Sequence, residues 1–205
     1  MIGRKRRRCG RTLLPQQYTI SEKTLRIRKQ PKNMCVAHAI TTMNELRSGV
    51  ELDVTDCYTK GMGDSGERLF QVVEKIRNKG QRIFSSKTRL SFDAKPLNRP
   101  YVDNIKKALA ANRAVVVTIK TYNHESIIQS YYDKDGAKKK QKLRPHAICF
   151  YGYHDGVAKK DLHSLEEGYF NFINSHGAWI DGSRGVGLVT YAYAKKYIEE
   201  GIISN

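Results

Sequence analysis

The 205-residue chain contains no run of eighteen or more apolar residues, so no segment reads as a membrane-crossing helix. Its first residues, Arg4-Lys5-Arg6-Arg7-Arg8, lead into no apolar stretch, and the pattern of a secretory signal is missing. Cysteine is sparse: Cys9, Cys35, Cys57 and Cys149 stand far apart, with no CxxC pair of the zinc type and nothing like the density of a small disulfide scaffold. Free thiols in a reducing compartment are the expectation. There is no internal repeat. Acidic residues are the other shortage, 20 against 37 Lys+Arg, for a net charge of +17. Residues 1–32 hold eleven of those cations and one acid, Glu22, so most of the excess lies in an N-terminal arm. A second cluster, Lys138-Lys139-Lys140-Gln141-Lys142 with Arg144, follows the turn-rich Asp133-Lys134-Asp135-Gly136 and reads as an exposed loop. The arm lacks the interleaved aromatics of a single-strand binding surface.

What remains is ample for a core: 40% of residues are apolar, including 12 Tyr and 6 Phe. From Cys35, apolar residues at Val36, Ala39, Ile40, Met43 and Leu46 recur every three or four positions and stop at Gly49, which predicts an amphipathic helix beginning at the cysteine. A second helix is expected over Leu69, Val72, Val73 and Ile76, with Ser65 as its cap and Gly80 as its end, and a third over Val102, Ile105 and Leu109. After residue 114 the pattern turns to β-rich runs at 114–119, 147–153, 169–173 and 186–191. The expected architecture is a flexible basic arm over 1–20, then one domain over 21–205. That domain has a mainly helical lobe over about 30–100, a mainly antiparallel β lobe over about 101–205 and a cleft between them.

A cysteine at a helix N-terminus meets unsatisfied N–H groups and the positive end of the helix dipole, which favour its thiolate over a thiol titrating near about 8.5. Such a nucleophile needs a base, and His146 opens the strand that follows. Asn174 ends the next strand, where its carboxamide can accept from an imidazole N–H and fix the ring. The order along the chain is Cys, His, Asn.

Those residues resemble the papain-like cysteine peptidases of clan CA, in which a cysteine begins a long helix in one lobe and a histidine and an asparagine come from a β lobe. Gln30 is similar to the glutamine of the family's oxyanion hole, His146-Ala147 to its histidine-alanine strand start, and Gly152-Tyr153 to its glycine-tyrosine. Asn174-Ser175-x-Gly177 is similar to its asparagine-serine-tryptophan-glycine, followed by Gly185-Val186-Gly187 and Tyr191. The separations, 111 residues from Cys35 to His146 and 139 to Asn174, suit a domain of this size. The resemblance implies a papain-like α+β fold and a peptidase using Cys35, His146, Asn174 and Gln30 without metal or organic cofactor. It also implies a protein or peptide substrate paired by its backbone to Gly63, Ser65 and Gly66. Several positions depart from the family pattern: Met34 and Val36 flank the nucleophile, Gln30 precedes it by five residues where six is familiar, and Pro145 stands for a glycine. His176 stands for the tryptophan that shields the His–Asn bond.

Other readings accompany this one. The same fold without chemistry would be a binding protein, and the same thioester would serve a transferase. The basic arm alone would serve a protein that binds nucleic acid or an acidic partner. Cys57 and Cys149 read as packing residues, and Cys9 as exposed. His38, three residues after Cys35, has no second pair with which to hold zinc, while His124, His154 and His163 read as solvated. Residues 1–29 are too few for a folded helical pro-domain, and with no signal segment the expectation is a cytoplasmic enzyme of bacterial or phage type.

Overall fold

The structure is a computed structural model that describes residues 14–21, 26–31, 33–58, 68–121, 127–128, 143–156, 167–178 and 184–205. Four helices are found among them: α1 (Cys35–Ser48), α2 (Leu69–Lys79), α3 (Tyr101–Ala110) and α4 (Tyr191–Tyr197). The strands are β1 (Gln17–Thr19), β2 (Gln81–Arg82), β3 (Arg89–Leu90), β4 (Ala94–Pro96), β5 (Val115–Thr121), β6 (Ile127–Ile128), β7 (Arg144–Asp155), β8 (Gly168–Ala178), β9 (Arg184–Thr190) and β10 (Ile198–Ser204). Eight strands make one sheet in the order β4-β10-β5-β7-β8-β9-β6, with β1 paired to β7 beside that path. Every pairing is antiparallel except β6 with β9. Among the described residues no helix is long and apolar enough to cross a membrane.

Helix α1 starts at Cys35, as the apolar spacing predicts, and ends where the Gly49 N–H donates to Glu45 O at 2.8 Å. It is not amphipathic in the expected sense. Every residue from Val36 to Glu45 is buried, including His38, Thr41, Thr42, Asn44 and Glu45. The helix can be enclosed because its polar side is answered from within. Gln81 donates to Thr41 Oγ1 at 2.7 Å and accepts from Asn44 at 3.2 Å, and Glu45 is met by Arg28 with two bonds of 2.7 Å. Helix α2 begins later than its expected cap: Arg68 is the N-cap, without a side-chain bond, and Ser65 lies outside the described residues.

The strand expectations hold at 115–119, 147–153, 169–173 and 186–190, while Ala114 precedes β5 and Tyr191 leaves the sheet. Thr190 caps α4 there, and Tyr191 is buried with its hydroxyl donating to Asp155 at 2.7 Å. Short strands escaped the sequence reading. Residues 17–19, counted with the flexible arm, pair with Gly152–His154, and residues 94–96, counted with the helical lobe, pair with β10. Gly152 is what lets β1 approach, since a Cβ there would stand 2.8 Å from Tyr18 O and 3.0 Å from Thr19 Oγ1.

Two irregularities shape the sheet beside the candidate site. The β7–β8 register shifts between Phe150 and Gly152, and the β8–β9 register shifts between Ile173 and Ala178. Asn174 and Ser175 fall within the second, where the ladder no longer dictates which way their side chains turn. Gly185, on the facing strand, has φ +70°, and a Cβ there would stand 2.2 Å from Ile27 Cγ2 and 3.1 Å from Asn174 O. Only glycine fits both that backbone and that gap. Ile27 therefore lies against the strand crossing that sets Asn174.

Candidate active site

His146 is the third residue of β7, opposite Ile119 of β5, and is buried. It does not open the strand, as the apolar run suggests, because the ladder with β5 continues back to Arg144 opposite Thr121. Its Nε2 lies 2.8 Å from Asn174 Oδ1. A carboxamide oxygen accepts and does not donate, so Nε2 carries the proton in this bond and Nδ1 is the nitrogen left to exchange one. Asn174 is 2% exposed, which keeps competing water from its bond to His146.

Gln30 is fastened to the residue after Asn174. Its backbone N–H donates to Ser175 O, and Ser175 Oγ donates to Gln30 Oε1. With Oε1 engaged by Ser175, Nε2 is the other end of that carboxamide, and it donates. Cys35 is the first residue of α1, free of disulfide and partly buried against the core, and its helix packs on β7 and β8. The strands thus join His146, Asn174, Ser175 and Gln30 in one hydrogen-bonded group, and five residues of chain run from Gln30 to Cys35. Gly63, Ser65 and Gly66, the expected substrate-binding residues, lie outside the described residues, as do the lysine loop, Trp179, Cys9, His124 and His163.

The remaining expectations divide. Cys57 and Cys149 are fully buried, and burial pushes the Cys149 thiol far up, as befits packing residues. His154 is not a solvated loop residue: it lies in β7 with its ring stacked on Tyr169 at 5.6 Å. Among the described residues no group of three or more His, Cys, Asp or Glu has the geometry of a metal site. Arg28 escaped the sequence reading. Two residues before Gln30, it bonds both oxygens of Glu45 and reaches Glu51 at 3.2 Å, tying the segment that carries Gln30 to the helix that carries Cys35. The hydrogen bond to Glu45 raises the Arg28 pKa above its ordinary value and outweighs the lowering by burial.

Neither a family model nor a curated protein sequence matches the chain. Solved structures do. The ragweed pollen cysteine protease Amb a 11, in its proform, superposes with a TM-score of 0.67 at 17% identity over 96% of this chain and 66% of that one. This chain therefore spans about two thirds of that proform. Xylellain, a cysteine protease from Xylella fastidiosa, gives 0.72 at 15% identity over 94% and 87%. Bromelain from Ananas comosus, in complex with the inhibitor E64, gives 0.65 at 17% identity over 94% and 99%. The fold is papain-like.

Proposed function

We propose that this papain-like chain is a cysteine peptidase that cleaves peptide bonds through a thioester acyl-enzyme. Cys35 is the nucleophile and His146 its base. Proton transfer from Sγ to Nδ1 makes a thiolate–imidazolium pair, and the thiolate adds to the peptide carbonyl carbon. The Cys35 backbone N–H and Gln30 Nε2 donate to the resulting oxyanion. On collapse, the imidazolium gives its proton to the leaving amine and the thioester remains. His146 then takes a proton from water, whose hydroxyl adds to the thioester carbonyl, and the thiolate leaves with the acid released. Asn174 orients the ring throughout. Gly63, Ser65 and Gly66 bind the substrate backbone, and Arg144 with the neighbouring lysines favours acidic peptides. No step calls for a metal or an organic cofactor.

The observation that carries this reading is the 2.8 Å bond from His146 Nε2 to Asn174 Oδ1, which leaves Nδ1 as the ring nitrogen that can take a proton from a thiol. The papain-like fold and the bond from Ser175 to Gln30 support it. The bromelain structure holds E64, and a peptidase of this kind should lose turnover to the same inhibitor.

The test is alkylation by iodoacetamide across pH, with the modified residue located by mass spectrometry in the wild type and His146→Ala. Cys35 is expected to react selectively and fast well below pH 7, and to lose that reactivity without His146. Ordinary thiol behaviour near about pH 8.5 would instead favour a silent binding protein of the same fold.

A further inference from the structure

Beside Asn174 lies a small cavity lined by Arg26, His38, Thr42, Ala147, Asn174 and Ser175, among others. The space open to the centre of a water molecule is about 10 Å³, close to the lower limit for holding one. Three of its lining residues each carry a buried polar atom without a hydrogen-bond partner: Asn174 Nδ2, His38 Nε2 and Arg26 Nη1. Asn174 is 2% exposed and His38 is 5% exposed. Buried polar groups in folded proteins are nearly always paired, so three orphans carried by residues that line one water-sized space call for a common explanation.

We propose that the cavity binds a single ordered water, and that through it His38 acts as a positioning residue for the catalytic pair. The donors and acceptors balance. The water accepts from Asn174 Nδ2–H and Arg26 Nη1–H and donates to His38 Nε2, with its second O–H directed toward Thr42 or Ser175. Three or so hydrogen bonds are what a buried water typically makes. With Nδ2 held by the water, the carboxamide of Asn174 cannot flip, and Oδ1 stays on His146 Nε2. His38 stands one helical turn beyond Cys35, so the same helix that presents the nucleophile also braces the group that orients its base.

The role requires His38 to be neutral with its proton on Nδ1. Burial, and next the charge of Arg28, lower its pKa from 6.5 to about 4, so it is neutral throughout the range in which a thiolate–imidazolium pair would work. The charged groups about the cavity are Arg26 and Arg28 from the N-terminal segment, with Glu45 of α1 bonded to Arg28 and Glu51 to both arginines. Asn174 and Ser175 face it from β8 and Ala147 from β7, and none of these titrates.

The proposal rests on the peptidase reading for its catalytic meaning but not for the water itself, and the experiment separates the two. In the full chain, NMR should show an NOE from the Asn174 side-chain amide protons to a long-lived water. The NOE should vanish in His38→Phe, whose ring fills the space without an acceptor, and persist in His38→Gln. Its absence from the wild type, which needs no variant to fold, overturns the proposal, as does its persistence in His38→Phe. Alkylation of Cys35 at pH 6 should slow about ten- to a hundred-fold in His38→Phe, as expected for a displaced catalytic group. In His38→Gln most of the rate should return, a rescue that a purely structural histidine would not give. Equal rates in the two variants also overturn it. A wild-type NOE with alkylation indifferent to His146 keeps the water site and removes the peptidase reading.

Discussion

His38 carries a second consequence, in the stability of the fold. Unfolded, its imidazole takes a proton near pH 6.5; folded, it resists until about pH 4, because burial and then Arg28 disfavour the cation. Between those values the unfolded chain binds more protons, so stability falls as pH falls through the window, by on the order of 3 kcal/mol at its lower end. Urea unfolding midpoints of the wild type should therefore decline more steeply from pH 6.5 to pH 4 than those of His38→Phe. Parallel declines would show that His38 titrates normally in the fold. Nothing in the local sequence announces this. Cys35 is legible because a helix begins there, and His146 and Asn174 because each borders an apolar run, although the strands extend beyond those runs and Asn174 lies within β8 and not at its end. His38 is defined by what packs on it, from segments near residues 26, 147 and 174. Its only signal is the three-residue spacing from Cys35, which a metal pair shares.

At the scale of the element, α1 decides whether the site is assembled. Its start and stop can be read from apolar spacing and Gly49, but its complete enclosure cannot, since Thr41, Asn44 and Glu45 look like an outward face until Gln81 and Arg28 arrive from elsewhere in the chain. Glu45 is 1% exposed, and its Oε1 also accepts from the Leu52 N–H at 2.8 Å. Arg28→Met would leave that carboxylate buried and without its bidentate partner, a loss of about 3–5 kcal/mol. In the double variant Arg28→Met/Glu45→Gln the charge is gone while Leu52 keeps an acceptor, so the loss should shrink to about 1–2 kcal/mol. Denaturant midpoints of the three proteins measure this. A double variant as unstable as the single one would mean that the clamp works by packing and not by charge. Because Arg28 is two residues from Gln30, the single variant should also lower Cys35 reactivity before it unfolds the chain.

Over the whole molecule, the four long β runs and three helices follow from periodicity, whereas β1, β2, β3, β4, β6, β10 and α4 do not. Short edge strands such as Gln17–Thr19 and Ala94–Pro96 have too few residues to display a period, and they exist because a longer strand offers them a ladder. Charge is the property of the whole chain that the fold does not absorb. Residues 1–12 hold Arg4, Lys5, Arg6, Arg7, Arg8 and Arg11, six of the cations behind the net +17. They lie before β1, whereas the hydrogen-bonded group around His146 draws on residues from Gln30 onward. Removing 1–12 should therefore leave Cys35 alkylation and peptide turnover unchanged while weakening retention on a polyanion. If each of the six cations neutralises one phosphate of duplex DNA, log affinity against log salt should flatten by about 5. Affinity titrations of the full chain and the deletion at several salt concentrations, run beside turnover, give both readouts on the same proteins. Intact turnover with a flattened salt slope assigns the arm to anion binding apart from the chemistry. Lost turnover would place the arm in the catalytic apparatus, and an unchanged slope would move the binding charge to the lysines near residue 140.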